Sequence, residues 1–352
     1  MDSRELNILI IEDDPFITMV YQDHMEASKA AHFKWDVCTD LASGISALGS
    51  KSYDVLLLDL NLPDSDHENT VSRIPEISDH LPIVVMTSTN DELLALKTMN
   101  MGGQDYLIKN KLDPTLFIRS MLYAIERHEL KRELKSAKKK SDDLLLNILP
   151  AEVVKEVKVN GFAEAKEFDQ ATIIFTDFKG FTAMSEKVSP KQLVKDLHEC
   201  FSAFDRITSA YGIEKIKTIG DAYMAAGGLP TPNKTHATDI INAAFEMRDF
   251  VAEGKRRKIE NGLPYFEIRI GINTGPVVAG IVGLKKFQYD IWGDTVNTAS
   301  RMESSGEIGE VNISRTTYDL VKDNLNFHFE SRGKLEVKGK GLMEMWRVHS
   351  NK

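Results

Sequence analysis

Phe175-Thr-Asp-Phe-Lys-Gly-Phe-Thr182 and Lys215-Ile-Lys-Thr-Ile-Gly-Asp-Ala-Tyr-Met224 decide how this chain is read. Each is an apolar, strand-like run that ends in an aspartate close to a glycine. The first is preceded by Ala171-Thr-Ile-Ile, so a buried strand delivers Asp177 to its end. In the second, Gly220-Asp221 separates two strand runs and predicts a tight hairpin with Asp221 at its tip. Period-two alternation puts Lys215 and Lys217 on one side of that hairpin. Two such carboxylates suit a pair of hard, phosphate-bound cations, and Gly180 lets backbone N–H groups approach a phosphate.

Working outward, Gln288-Tyr-Asp-Ile-Trp-Gly-Asp-Thr-Val-Asn-Thr-Ala-Ser-Arg-Met-Glu303 opens a helix for which Asp294 or Thr295 is the expected cap. Asn297 and Arg301 are then i and i+4 on one face, an amide and a guanidinium suited to a ribose and a phosphate. Val337-Lys-Gly-Lys-Gly341 offers lysines on a glycine-rich turn. Strands are expected at residues 171–176, 213–219, 223–226 and 266–272, so this block is mixed α/β.

Residues 1–127 alternate strands with helices. The apolar runs at 6–11, 55–60 and 83–87 read as buried parallel strands, with helices at 16–31, 42–49 and 91–101. This predicts a doubly wound sheet, whose strand C-termini converge on one edge. Glu12, Asp13 and Asp14 follow the first strand, Asp59 ends the third, and Thr87 and Lys109 end two later ones. Acidic groups there can hold Mg²⁺, Asp59 could then attack a phosphoryl donor, and Thr87 and Lys109 could bond the transferred oxygens. Between the blocks, Leu130, Leu134, Ala137, Ser141, Leu144 and Ile148 follow a 4-3-4-3-4 spacing, a short coiled-coil seam or a solvated connector helix.

The bulk properties exclude several classes. The 352 residues suffice for two or three domains, and 42% are apolar. A net charge of −9 argues against a general nucleic-acid binder. Cys38 and Cys200 have no metal-finger spacing and fit a reducing cytoplasm. The charged first residues do not read as a signal peptide, and no apolar stretch nears the ~18 residues of a membrane span. A DNA-binding regulator would need a basic recognition helix in a compact C-terminal domain, and the large, sheet-rich second half has none.

The first block, about 1–127, resembles the response-regulator receiver domain. The resemblance implies that Asp59 is phosphorylated by a histidine kinase or phosphotransfer protein. It also places Asp13 and Asp14 on Mg²⁺, makes Thr87 and Tyr106 the switch pair, and makes Lys109 the phosphate lysine. Asn110 stands where the family usually has proline, and the loop after Asp59 lacks the usual glycine. Residues 128–167 resemble a signalling helix followed by the transducer element that precedes many cyclase domains. Residues 168–352 resemble the class III nucleotidyl cyclase catalytic domain, which implies a ferredoxin-like core. Asp177 and Asp221 then match the two metal-binding aspartates, with Mg²⁺ or Mn²⁺ as two cations per site. Lys217 and Asp290 match the adenine-reading pair, Asn297 and Arg301 the ribose-orienting and transition-state residues, and Lys338 and Arg269 the phosphate-binding groups. The family shares each site between two chains, so a chain with both sets is expected to be a homodimer. The expected activity is adenylate cyclase, ATP to 3′,5′-cyclic AMP and pyrophosphate, in the cytoplasm. A guanylate cyclase and a catalytically dead receiver/pseudo-cyclase module are the alternatives.

Overall fold

The computed structural model describes residues 4–88, 92–186, 188–283 and 288–351. The chain divides into two compact units, residues 1–142 and 143–352.

The first unit runs β1 (Glu5–Ile11), α1 (Pro15–Glu26), β2 (His32–Cys38), α2 (Leu41–Ser50), β3 (Val55–Asp59), α3 (His67–Ser78), β4 (Ile83–Thr87), α4 (Glu92–Asn100), β5 (Asp105–Ile108) and α5 (Pro114–Leu146). The sheet is parallel, in the order β2-β1-β3-β4-β5. Residues 8–11, 55–58 and 83–85 are fully buried, as strands covered by helices on both faces must be. The order reverses between β1 and β3, so the crevice opens at their C-terminal ends. One helix boundary shifts. The first helix stops at Glu26 rather than residue 31, because the chain must turn to begin β2, an edge strand whose mixed burial gave little apolar signal. Asp91, the expected start of the helix at 91–101, lies outside the described residues. The spaced leucines Leu130, Leu134 and Leu144 are exposed on α5, and Ile148 falls beyond its end.

The second unit runs α6 (Ala151–Asn160), β6 (Lys166–Phe178), α7 (Phe181–Ser185), α8 (Pro190–Ala210), β7 (Glu214–Ile219), β8 (Ala222–Gly227), α9 (His236–Glu260), β9 (Ile268–Val282), β10 (Gln288–Trp292), α10 (Asp294–Ser304), β11 (Val311–Ser314), α11 (Arg315–Val321), β12 (Phe327–Val337) and β13 (Gly341–Ser350). Its sheet has the order β12-β13-β11-β9-β6-β8-β7, with β10 paired to β9. The central strand β6 is buried on both faces. Ile174 joins Phe204, Ile240 and Ala244 of α8 and α9, while Ile173 and Phe175 join Val153 and Val154 of α6 and Ala299 of α10.

The β7–β8 hairpin turns at Gly220-Asp221, where Gly220 takes φ +64°, a conformation glycine adopts without strain. Its register slips between Lys215 and Lys217. Lys215 faces Ala225, which belongs to the α8–α9 core, and Lys217 faces Met224, which belongs to the other core. The two lysines therefore point to opposite sides of the sheet, against the simple alternation. The extra residue of a β-bulge is the cause, since it resets which face the following side chain takes.

The seat of α10 is set by two glycines of β9. A Cβ on Gly271 would lie 1.8 Å from the Glu303 backbone nitrogen, and one on Gly275 would lie 2.6 Å from Thr295 Oγ1. Neither Asp294 nor Thr295 caps the helix. Gly293 occupies that position without a side-chain bond, and Thr295 Oγ1 instead donates to the Pro276 carbonyl at 2.6 Å. Asn273 Nδ2 donates to the Thr295 carbonyl at 2.9 Å, and Asn312 Nδ2 to the Met302 carbonyl at 2.7 Å. Both ends of α10 are thus tied to the sheet.

Candidate active site

Asp177 and Arg269 are cross-strand partners on β6 and β9, on the face that carries α10. Arg269 Nη2 lies 3.1 Å from Asp177 Oδ1 and 2.8 Å from Glu303 Oε1. Asp221 comes to the same place from the hairpin tip. Burial first, and the neighbouring Asp177 second, push its carboxyl above the ordinary range. Two carboxylates that repel each other in a partly desolvated site favour a bound cation, so Asp177 and Asp221 fit the divalent metals expected there. Gly180, at φ +74°, begins α7 just beyond Asp177.

Lys217 and Asp290 meet across β7 and β10, Nζ to Oδ2 at 2.5 Å, with side chains 28% and 16% exposed. The other carboxylate oxygen of Asp290 accepts the Ile291 N–H at 2.9 Å. Gln288, which sequence reasoning passed over, donates from Nε2 to the Ile216 carbonyl at 3.3 Å and so ties β10 to the bulged strand that aims Lys217. On α10, Thr295, Thr298, Ala299 and Met302 are buried. Asn297 is exposed and Arg301 half-buried, as the i, i+4 reading requires of an outward face. Lys338 is exposed on the β12–β13 turn. Its neighbour Lys340 pairs with Asp294 at the start of α10, tethering that turn beside the helix.

Glu303 was also missed. Its burial pushes its carboxyl up to about 7, against the opposing pull of Arg269. No local motif marks it, because its role depends on the missing Cβ of Gly271, a strand away.

In the first unit Lys109 Nζ lies 2.6 Å from Glu12 Oε2 and 2.8 Å from Asp59 Oδ2, and all three side chains are buried. Thr87 is buried at the end of β4, and Tyr106 packs half-buried against the core. Among the described residues the acidic cluster is Glu12, Asp13 and Asp59, rather than one that includes Asp14. Asp14 is spent on α1. Its Oδ1 accepts the Phe16 N–H at 2.8 Å, the N-cap role that Pro15 at the first helical position calls for. Burial raises the Glu12 carboxyl, which Lys109 opposes, so this cluster too fits a hard cation.

The Adenylate and Guanylate cyclase catalytic domain family matches residues 163–350. The chain belongs to that family. Its cyclase domain follows a Response regulator receiver domain matched over residues 8–119. The adenylate cyclase of Mycobacterium tuberculosis (strain H37Rv) is 39% identical over 216 residues, 60% of this chain and 47% of the relative. The guanylate cyclase soluble subunit beta-2 of Rattus norvegicus is 42% identical over 288 residues, 82% of this chain and 40% of that one. The chain thus spans less than half the length of either. The crystal structure of the adenylyl cyclase CyaB from P. aeruginosa matches with a TM-score of 0.51 and 31% identity, over 54% of this chain and 98% of that one. No helix among the described residues is long and apolar enough to cross a membrane.

Proposed function

We propose that the cyclase domain converts ATP to 3′,5′-cyclic AMP and pyrophosphate in a two-fold homodimer, under control of Asp59 phosphorylation by a histidine kinase or phosphotransfer protein. The Lys217–Asp290 pair carries the choice of base. Adenine offers an N6 amino donor and an N1 acceptor, which a carboxylate and an ammonium complement. Guanine offers O6 to the carboxylate and N1–H to the ammonium, acceptor against acceptor and donor against donor, and such buried mismatches are costly.

Asn297 orients the ribose so that its 3′-oxygen attacks the α-phosphorus in line, and the α–β bridging bond breaks to release pyrophosphate. Arg301 bonds the α-phosphate oxygens as charge grows on them, a contribution whose loss typically costs ~10²–10³ in rate. Lys338 and Arg269 bind the polyphosphate. None of these side chains is a general base, so the 3′-hydroxyl proton passes to water or to a substrate phosphate. Mg²⁺ or Mn²⁺ held by Asp177 and Asp221 supplies neutralisation of the polyphosphate and acidification of the 3′-hydroxyl.

The dimer is supported by exposed apolar side chains on the site's own elements, Ile219 beside the hairpin tip and Val282 and Trp292 on the β9–β10 ribbon. Each site would draw Asp177, Asp221 and Arg269 from one protomer and Lys217, Asp290, Asn297, Arg301 and Lys338 from the other. The guanylate cyclase relative keeps GTP as the rival substrate. The test is the full chain with ATP or GTP, Mg²⁺ or Mn²⁺, with and without acetyl phosphate. Cyclic AMP from ATP and little product from GTP is expected, with a rate that changes on phosphodonor in the parent protein and not in Asp59→Asn. Cyclic GMP as the main product would overturn the base reading, and an identical phosphodonor response in Asp59→Asn would overturn the control.

A further inference from the structure

Arg269 is placed oddly for a residue meant to bind phosphate. Its Nη2 hydrogen-bonds Asp177 Oδ1 at 3.1 Å and lies 2.8 Å from Glu303 Oε1 as an ion pair, while the buried Nε–H and the buried Glu303 Oε1 have no hydrogen-bond partner among the described residues. A buried guanidinium N–H without an acceptor is a cost that a ligand oxygen relieves. When a cation takes up the Asp177 carboxylate, Arg269 loses one of its two anchors, and Glu303 is the carboxylate that remains. Glu303 has little freedom of its own, because its backbone is pressed against Gly271 and its side chain is 10% exposed.

We propose that Glu303 is a positioning residue, which holds Arg269 off Asp177 and toward the polyphosphate, so that α10 serves both sites of the dimer. Its outward residues, Asn297 and Arg301, work in one site. Its inward residue, Glu303, works through Arg269 in the other. This inference rests on the shared-site cyclase reading.

In the homodimer of the full chain, Glu303→Gln removes the charge that draws Arg269 away from Asp177, so Arg269 stays with Asp177 and competes with the cation. The apparent affinities for Mn²⁺ and ATP fall about tenfold, the effect of losing one charge-assisted partner, while kcat changes less than about threefold. Glu303→Asp, which keeps the charge, recovers part of the loss. A kcat loss with unmoved KM, or parent-like kinetics, overturns the proposal.

The decisive arm uses mixed dimers of an Asp177→Asn chain with an Arg301→Ala chain. Only one site of each pair is whole, and its metal half comes from the Arg301→Ala chain. Adding Glu303→Gln to the Arg301→Ala chain reproduces the KM shift, and adding it to the Asp177→Asn chain does not. The reverse pattern means that Glu303 acts through the outward face of α10, and equal effects mean a general structural role; either overturns the proposal. If the parent forms cyclic AMP but the mixed pair is dead, the shared site fails, and with it the claim that α10 serves both. If the parent forms no cyclic nucleotide, the cyclase reading fails. Calorimetric binding of Mn²⁺ and of ATP to parent and Glu303→Gln still decides the Arg269 part: equal affinities overturn it, and a tenfold loss sustains it.

Discussion

Replacing Lys217 by Glu together with Asp290 by Asn tests the base reading most directly. The substitution inverts both hydrogen-bond characters, setting an acceptor opposite guanine N1–H and an amide donor within reach of O6. Both parent side chains are mostly buried and meet at 2.5 Å. A hydrogen bond to a charged group is worth about 1.5–3 kcal/mol net, so two inverted contacts are worth about 3–6 kcal/mol. Partial exposure of Lys217 favours the lower end, which converts to a change of roughly 10²–10³ in the ratio of kcat/KM for ATP over GTP. The assay is competition between equal ATP and GTP, with both cyclic products separated and counted. The single variants sharpen it. Lys217→Glu alone sets two carboxylates where an ion pair stood and should impair both substrates. Asp290→Asn alone leaves an amide that can still accept from Lys217, and should lower ATP use about tenfold while GTP use rises. A double variant whose ATP preference stays within about threefold of the parent would refute the assignment of Lys217 and Asp290 to the base.

Gly271→Ala should lower the denaturant midpoint by the equivalent of about 3 kcal/mol and remove cyclase activity, because the new Cβ meets backbone atoms of Met302 and Glu303 that cannot turn aside. Lys109→Ala should cost the receiver unit about 3 kcal/mol, read by calorimetry, by leaving Glu12 and Asp59 without their counter-charge, and millimolar Mg²⁺ should restore part of it. Glu214 provides a pH test. Burial, aided by Glu152, pushes its carboxyl up from 4.5 to about 7, so the folded chain binds that proton more tightly than the unfolded chain. Its effect on stability is least unfavourable below pH 4.5 and grows more unfavourable as pH rises toward 7. Glu214→Gln should therefore stabilise the protein at pH 8 by roughly 1–3 kcal/mol and have little effect at pH 4, measured by urea unfolding.

Much of this was legible because the decisive residues sit where local rules act. Asp177 closes a buried strand, Asp221 occupies a two-residue turn, and Asn297 and Arg301 share a helix face by spacing alone. Three of the receiver's five strands, β1, β3 and β4, announced themselves as unbroken apolar runs. The misses share a different origin. Glu12, Asp13 and Asp14 are three acids in a row, and only the competition between capping α1 and facing the crevice separates them; Pro15 was the overlooked sign. The faces of Lys215 and Lys217 depend on a bulge that no period-two count contains. Glu303 and Gln288 act through elements far away in the chain, and the gap at Gly271 that admits Glu303 looks in sequence like any glycine in a strand.

The glycine seat of α10 also limits how this enzyme can be controlled. A helix pressed against bare strand backbone at Gly271 and Gly275, and bonded at both ends, has no room to slide, tilt or ratchet within its own protomer. Asn297 and Arg301 travel wherever β9 travels. In the proposed homodimer, any throttle on the reaction would then work as a change of gap or angle between the two protomers, so a mutation that loosens the interior should lower activity rather than make it independent of the receiver.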